Sequence, residues 1–215
     1  MKLENLRELY IHELQDLYDA ENQIIKAMPK MIRSATTGSL SSALQEHLEQ
    51  TKEQAIQLEE LFSKFQEKPH ATKCKGMEGL LKESEETVKE DMDPEVKDAA
   101  IIVACQKVEH YEIAGYGSVK TFAHLLGDDH AARVLEKILA QEKEADQKLT
   151  MLAEEINVEA AGGVTSESWR ESSRHESEKA EQFGSKRDTA FSPNPSGVTN
   201  QPGSPGSPRT HRDNS

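Results

Sequence analysis

Apolar residues along this chain recur at three- and four-residue steps over long stretches, the spacing of helices that each bury one face. In the first stretch Leu6, Leu9, Leu14, Leu17, Ile24, Ile25, Met28 and Ile32 predict a helix over about 3–33, which Pro29 should kink or end early. Thr36-Thr37-Gly38-Ser39 breaks the pattern, with Ser39 or Ser41 as the N-cap of a second helix that stops before Pro69. Its stripe is Leu40, Leu44, Leu48, Ala55, Leu58, Phe62 and Phe65. The connection over 67–94 is too long for a tight turn, and Met77, Leu80, Leu81, Val88 and Met92 predict a shorter helix within it. Asp93-Pro94 pairs an N-cap with proline at the first helical position, and starts a third long helix that reaches about 126. Gly127-Asp128-Asp129 closes that helix and caps a fourth, which runs to about 157 through Val134, Leu135, Ile138, Leu139, Leu149, Leu152 and Ile156. No segment sustains a two-residue alternation, so strands are not expected.

Two helical hairpins joined by one long connection predict an all-α fold. The expected architecture is a ferritin-like antiparallel four-helix bundle with a long helical crossover between the second and third long helices, a connectivity also compatible with other four-helix folds. Residues 1–159 form that bundle. Residues 160–215 contain no Leu, Ile or Met and hold five of the eight prolines and six of the twelve glycines. Such a segment cannot bury enough apolar surface to offset its ordering entropy, and a disordered Ser/Pro/Gly-rich tail is expected. Trp169, Phe183 and Phe191 are its large apolar groups.

The stripes are interrupted by acid or histidine where a Leu would be expected. Glu21 falls in the series Leu14, Leu17, Glu21, Ile24, Met28, and His47 in Leu40, Leu44, His47, Thr51, Ala55, Leu58. On the third long helix Ile102, Gln106, Glu109, Ile113 turns Glu109 inward, with Glu112 three residues on along the same face. On the fourth, Leu135, Ile138, Glu142, Asp146, Leu149 carries two acids one turn apart. Folding the last hairpin back near residue 127 sets Glu109 level with Asp146 and Glu112 near Glu142, while Glu21 falls within about a turn of His47. A carboxylate on a buried stripe costs several kcal/mol unless it is paired or metal-bound, on the order of the penalties for isolated buried charge. Acids at matching depths from four helices therefore read as a carboxylate-rich site for one or two divalent cations. Mostly oxygen ligands with a minority of nitrogen suit iron or manganese better than zinc.

Each residue also has a plainer reading. His47 alone fits a hydrogen-bonded core histidine, and Glu21 alone fits a pair with a lysine at the bundle edge. His110 points off the inner stripe, either as a surface residue or as a hydrogen-bonding neighbour of a ligand. Tyr18, Tyr111 and Tyr116 lie near the proposed site, where they either shape and hydrogen-bond it or, the plainer reading, pack the core. The Glu-x-x-His motif of ferritin-like di-iron sites is absent: His47 is followed by Gln50 at i+3, and Glu142 by Asp146 at i+4.

Composition narrows the function classes. Of the 215 residues 30% are charged and 5% aromatic, and the net charge of −13 belongs to residues 1–159, because the tail balances seven acids with seven bases. An acidic bundle is a poor partner for nucleic acid or anionic lipid, so neither nucleic acid nor membrane is expected. Cys74 and Cys105 form neither a disulfide framework nor a zinc spacing. The start MKLENLRELY lacks the unbroken apolar core of a signal peptide, and no stretch approaches the roughly 20 apolar residues of a span, so a cytoplasmic protein is expected. There is no GxxxxGK[ST], GxGxxG or CxxC.

The segments ELQDLYDAENQI, HLEQT, GMEGLLKE, QKVEHYEIAGYGSVKTFAHLLG and QEKEADQKL resemble the YciE/YciF family of bacterial ferritin-like proteins, in order and spacing, over about residues 1–158. The resemblance implies a ferritin-like bundle with extra helical material, a homodimer, a di-metal site and an association with stress responses. Its pattern carries over to Asp16 and Glu21, to His47, to Glu78, to Glu109, His110 and Glu112, and to Glu142 and Asp146. Two functions follow as expectations. One is a stress-associated protein with a dinuclear iron or manganese centre at Glu21, His47, Glu109, Glu112, Glu142 and Asp146, acting on oxygen or peroxide or as a ferroxidase, with Asp16, Glu78 and His110 as lesser candidates. The alternative is a non-catalytic dimeric stress protein or interaction module whose metal site is structural or vestigial. In a further variant the tail recruits a partner and the bundle is its platform.

Overall fold

The computed structural model describes residues 3–65, 69 and 72–162. Among the described residues there are five helices and no strand: α1 (Leu6–Ser34), α2 (Gly38–Phe65), α3 (Lys75–Lys89), α4 (Pro94–Leu125) and α5 (Asp129–Ala160). The tail expected beyond residue 160 lies outside the described residues. None of the helices is long and apolar enough to cross a membrane.

Helix ends follow local chemistry. Asn5 caps α1 by accepting the Glu8 amide at 3.0 Å, and Asp128 caps α5 by accepting the Ala131 amide at 2.9 Å. Gly127, at φ 77°, takes the left-handed conformation that ends α4 and turns the chain into α5. Of the two outcomes expected at Pro29, a kink or an early end, the early end does not occur: α1 continues to Ser34, in keeping with the expected span. Met28 and Met31 are both buried, so core packing on each side of the proline holds the helix through the lost backbone bond. The second helix starts at Gly38, ahead of the Ser39 and Ser41 caps expected for it. Its entry is held instead by Asp98 of α4, fully buried, which accepts the amides of Thr36 and Thr37 at 2.7 and 2.8 Å.

Long-range contacts give the directions. α1 pairs with α2 and α4 with α5 as hairpins, while α1 also packs on α4 and α2 on α5. Asp16 reaches Tyr111 in the middle of α4, and Thr36, just past α1, reaches Asp98 near the start of α4, so these helices are antiparallel. Gln54 with Glu142 and Glu46 with Lys148 show the same for α2 and α5. Every neighbour in the ring is thus antiparallel, a four-helix bundle. α3 lies outside the ring against α1 and α4. It runs parallel to α1, since Asp19 accepts the Cys74 amide at 2.7 Å and Lys30 pairs with Glu85 at 2.6 Å. The crossover thereby returns the chain along the length of the bundle, so that α4 can start at the same end as α2.

The core is in two parts. One gathers Ile24, Met28, Leu40, Leu44, Ile101, Leu149 and their neighbours, and the other Tyr10, Leu14, Leu58, Phe62, Tyr116 and Leu135. On α2 the first part ends at Leu48 and the second begins at Leu58; on α4 they break between Val108 and Tyr116, and on α5 between Leu139 and Leu149. At those breaks sit His47, Thr51, Gln54, Glu109, Glu112 and Glu142, all buried. A polar layer divides the hydrophobic core.

Candidate metal centre

The layer is built because each helix presents one turn of polar side chains on an otherwise apolar face. α1 contributes Glu21 between Ala20 and Ile24, with no exposed surface. α2 contributes His47, α4 contributes Glu109 and Glu112 from successive turns, and α5 contributes Glu142. Ligand-capable atoms of His47, Glu109, Glu112 and Glu142 lie within 4.8 Å of one another. His47 Nε2 is 3.1 Å from Glu109 Oε1, within ion-pair distance but off the ring N–H direction needed for a hydrogen bond. Glu21 adjoins the cluster, where its carboxyl feels the charge of His47 and of Glu109.

Two neutral side chains orient the acids. The Tyr116 hydroxyl donates to Glu21 Oε1, and the Gln54 amide donates to Glu142 Oε1. Thr51, also buried, turns its hydroxyl back to the His47 carbonyl at 3.0 Å. Tyr116 thus does more than pack the core. Sequence reasoning misses Gln54 because Ala55 continues the apolar stripe, yet positions 47, 51, 54 and 58 follow the same helical steps.

Electrostatics follow from burial and crowding. Burial, opposed by the Tyr116 hydroxyl and by His47, pushes the Glu21 carboxyl up to about 8. Glu112 and Glu142 are held well above the usual carboxylate range, first by burial and then by the charge of Glu21. Burial alone would lower the His47 imidazole, but the Glu109 carboxylate beside it outweighs that and raises it. Without a metal, the layer retains protons because it has no better source of positive charge. Among the described residues no Lys or Arg is buried, which removes the lysine partner that Glu21 alone would have fitted.

The donors fit a metal on one further observation. Glu21 Oε2, His47 Nδ1 and Nε2, Glu109 Oε2, Glu112 Oε1 and Glu142 Oε2 are all buried with no hydrogen-bond partner. Buried polar atoms are almost always satisfied, and six unpartnered ligand-capable atoms in a single layer make a group that could hold a metal ion. Carboxylate oxygens with a single imidazole match iron or manganese rather than a sulfur- and nitrogen-preferring ion.

The other sequence candidates lie elsewhere. Asp146 is 23% exposed and faces the α4/α5 seam, 3.3 Å from His110 Nε2 and accepting from Gln106 at 3.3 Å. His110 is an exposed surface residue at the rim of that seam. Glu78 stands on the exposed side of α3, paired with Lys73. Asp16 fastens the crossover: it accepts from the Tyr111 hydroxyl at 2.7 Å and from Cys74 Sγ at 3.0 Å. The structure therefore brings together Glu21, His47, Glu109, Glu112 and Glu142 and leaves Asp146, His110, Glu78 and Asp16 outside.

Comparison with known proteins gives a consistent neighbourhood. Protein YciF of Escherichia coli (strain K12) is 42% identical over 154 residues, which span 71% of this chain and 93% of YciF. The crystal structure of the E. coli stress protein YciF superposes with a TM-score of 0.68 at 41% identity, covering 70% of this chain and 96% of that one. YcfI of Rhodopseudomonas palustris, for which a structural role is suggested, gives a TM-score of 0.68 at 44% identity over 69% of this chain and 95% of its own. A Xanthomonas campestris protein at 23% identity and a TM-score of 0.56 shares the fold. A family described as a domain of unknown function, DUF892, matches residues 5–162, the whole bundle from the α1 cap to the turn after α5. The chain belongs to the DUF892 family.

Proposed function

We propose that this chain holds a dinuclear iron or manganese centre between Glu21, His47, Glu109, Glu112 and Glu142, and that the centre serves oxidative chemistry under stress. The observation that carries the reading is the set of six buried, unpartnered ligand atoms in a layer where, among the described residues, no Lys or Arg is buried. Charge supports two ions. Four carboxylates are balanced by two divalent cations with His47 neutral, and carboxylates from facing helices are suited to bridging such a pair. Iron or manganese there would supply electron-transfer chemistry toward oxygen or peroxide. The chain's own part is to hold the donors in place: Tyr116 orients Glu21, Gln54 orients Glu142, and the two apolar core clusters on either side keep bulk water out. The stress setting comes from E. coli YciF, described as a stress protein.

A structural role for the metal is the companion reading. It is favoured by the placement of the donors on all four long helices, so that an ion would tie the bundle together. Elemental analysis of protein purified without chelator, beside the Glu109→Ala/Glu142→Ala double variant, tests both. The expected result is about two ions per chain, lost in the double variant. Oxygen or peroxide consumption by the loaded protein then separates catalysis from a structural tie. No metal in either protein, with an unchanged melting temperature on adding iron or manganese, would remove both readings.

A further inference from the structure

Two openings reach Glu109 from the surface, and they differ in chemistry. The larger, about 420 Å³ between α1, α3 and α4, is walled by apolar side chains such as Ile24, Met28 and Val108; along it Lys26, Lys30 and Lys82 outnumber Glu78 and Glu85, and both of those acids are already paired with lysines. A cation gains little from the apolar walls and finds the carboxylates there occupied by ammonium groups. The smaller, about 50 Å³ between α2 and α5, has both His47 and Glu109 in its lining. Its polar wall is Glu46, Gln50 and Glu144, all oxygen donors, together with Lys148. That volume exceeds the roughly 10–15 Å³ that one water-sized occupant needs.

From this contrast we propose that divalent cations enter through the α2/α5 cleft and that the Lys148–Glu46 ion pair is its gate. The inference rests on the metal reading above and adds the path and its residues. At the floor of the cleft stand His47 and Glu109, whose Nδ1 and Oε2 atoms are buried and unpartnered. At the mouth, Lys148 Nζ bonds Glu46 Oε2 across the α2/α5 seam, with side chains 44% and 62% exposed. An exposed pair of this kind opens at little cost. An arriving divalent cation replaces the ammonium at Glu46, passes Gln50 and Glu144, and meets His47 and Glu109. A cleft whose carboxylates outnumber its one lysine, between low-dielectric walls, concentrates the counter-ion and speeds its arrival.

The test is stopped-flow uptake of cobalt(II) by metal-free protein, read by visible absorbance, with an equilibrium titration of the same samples. Ala145→Phe plugs the α2/α5 cleft and Ala27→Phe fills the larger opening; neither residue is a donor. Ala145→Phe is expected to slow uptake about tenfold with unchanged final stoichiometry, while Ala27→Phe leaves the rate at the wild-type value. Lys148→Gln frees Glu46 and is expected to speed uptake several-fold. Melting temperatures of the metal-free variants show whether each is folded, and Glu46→Gln/Glu144→Gln, which adds no bulk, is expected to slow uptake if a plugging variant is not. Slow uptake in Ala27→Phe with wild-type rates in the α2/α5 variants would overturn the route. So would equal rates in all of them. If wild-type protein takes up no cobalt at equilibrium, the metal reading itself fails, and the route with it.

Discussion

The Tyr116 hydroxyl of α4 donates a hydrogen bond to Glu21 Oε1 of α1, across the middle of the bundle, with neither residue exposed to solvent. The bond joins the polar layer to the second apolar cluster, in which Tyr116 is one of the largest fully buried side chains. It also leaves Glu21 Oε2 free toward the other acids.

Tyr116→Phe keeps the ring and removes that donor. A buried acceptor left unpaired costs about 1–3 kcal/mol. Urea unfolding of the metal-free variant is expected to show a loss in that range. Metal binding should persist, because no ligand atom is removed. A variant as stable as wild type would show that Glu21 finds another partner when the phenol is gone.

The metal-free bundle should lose stability as pH rises. In the unfolded chain Glu21, Glu112 and Glu142 ionise near 4.5, while in the folded state Glu21 is raised to about 8 and the other two are also raised. The folded state therefore binds more protons between those values, and the associated stability is present below about 4.5 and lost as pH passes through about 8. Melting temperature followed by circular dichroism should fall across that window. Added iron or manganese should reverse the trend, since metal competes with protons for the same oxygens and binds better as pH rises. A flat metal-free profile would mean that the layer does not bury its acids as described.

Asp98→Ala tests the clamp at the opposite end of the bundle from the α4/α5 turn. Two charge-assisted bonds to the Thr36 and Thr37 amides are lost from a fully buried position, which should cost about 2–4 kcal/mol. Chemical denaturation gives the value. Metal stoichiometry should be unchanged, because Asp98 precedes Glu109 by about three turns of α4, a rise of roughly 16 Å. Loss of metal together with stability would show that the clamp also sets the height of the donors.

Gly76→Ala tests the seat of the crossover. A Cβ there would come 2.7 Å from Tyr111 Cε2, so the ring must move and its bonds to Asp16 and Cys74 must loosen. A destabilisation of about 1–3 kcal/mol is expected, together with faster alkylation of Cys74, whose thiol burial now pushes up to about 11. Unchanged alkylation would show that α3 stays seated without the Tyr111 contact.

Much of the bundle is legible in the chain's own periodicity. Its helices form at the expected places because apolar spacing and turn residues are local features: Pro94 starts α4, although Asp93 makes no side-chain cap bond there, and Gly127 ends it. The inward turn of Glu21, His47, Glu109, Glu112 and Glu142 follows from the same period. Asp146 misleads for a physical reason. One turn beyond Glu142, it drifts round α5 toward the α4 seam, where Gln106 and His110 receive it instead of the layer. The crossover is opaque to such reasoning, since Glu78 and Asp16 find their places only when α3 lies along α1.

Four amphipathic helices, their order and the acids on their inner faces are set by local sequence, because a 3.6-residue period is written within each segment. Which groups meet is a matter of tertiary packing: Tyr116 with Glu21, Gln54 with Glu142, and Asp98 with the Thr36–Thr37 turn. These pairs join residues 61 to 95 positions apart. Their contact depends on which helix faces which and at what height, and that is settled by the packing of whole faces rather than by any local pattern.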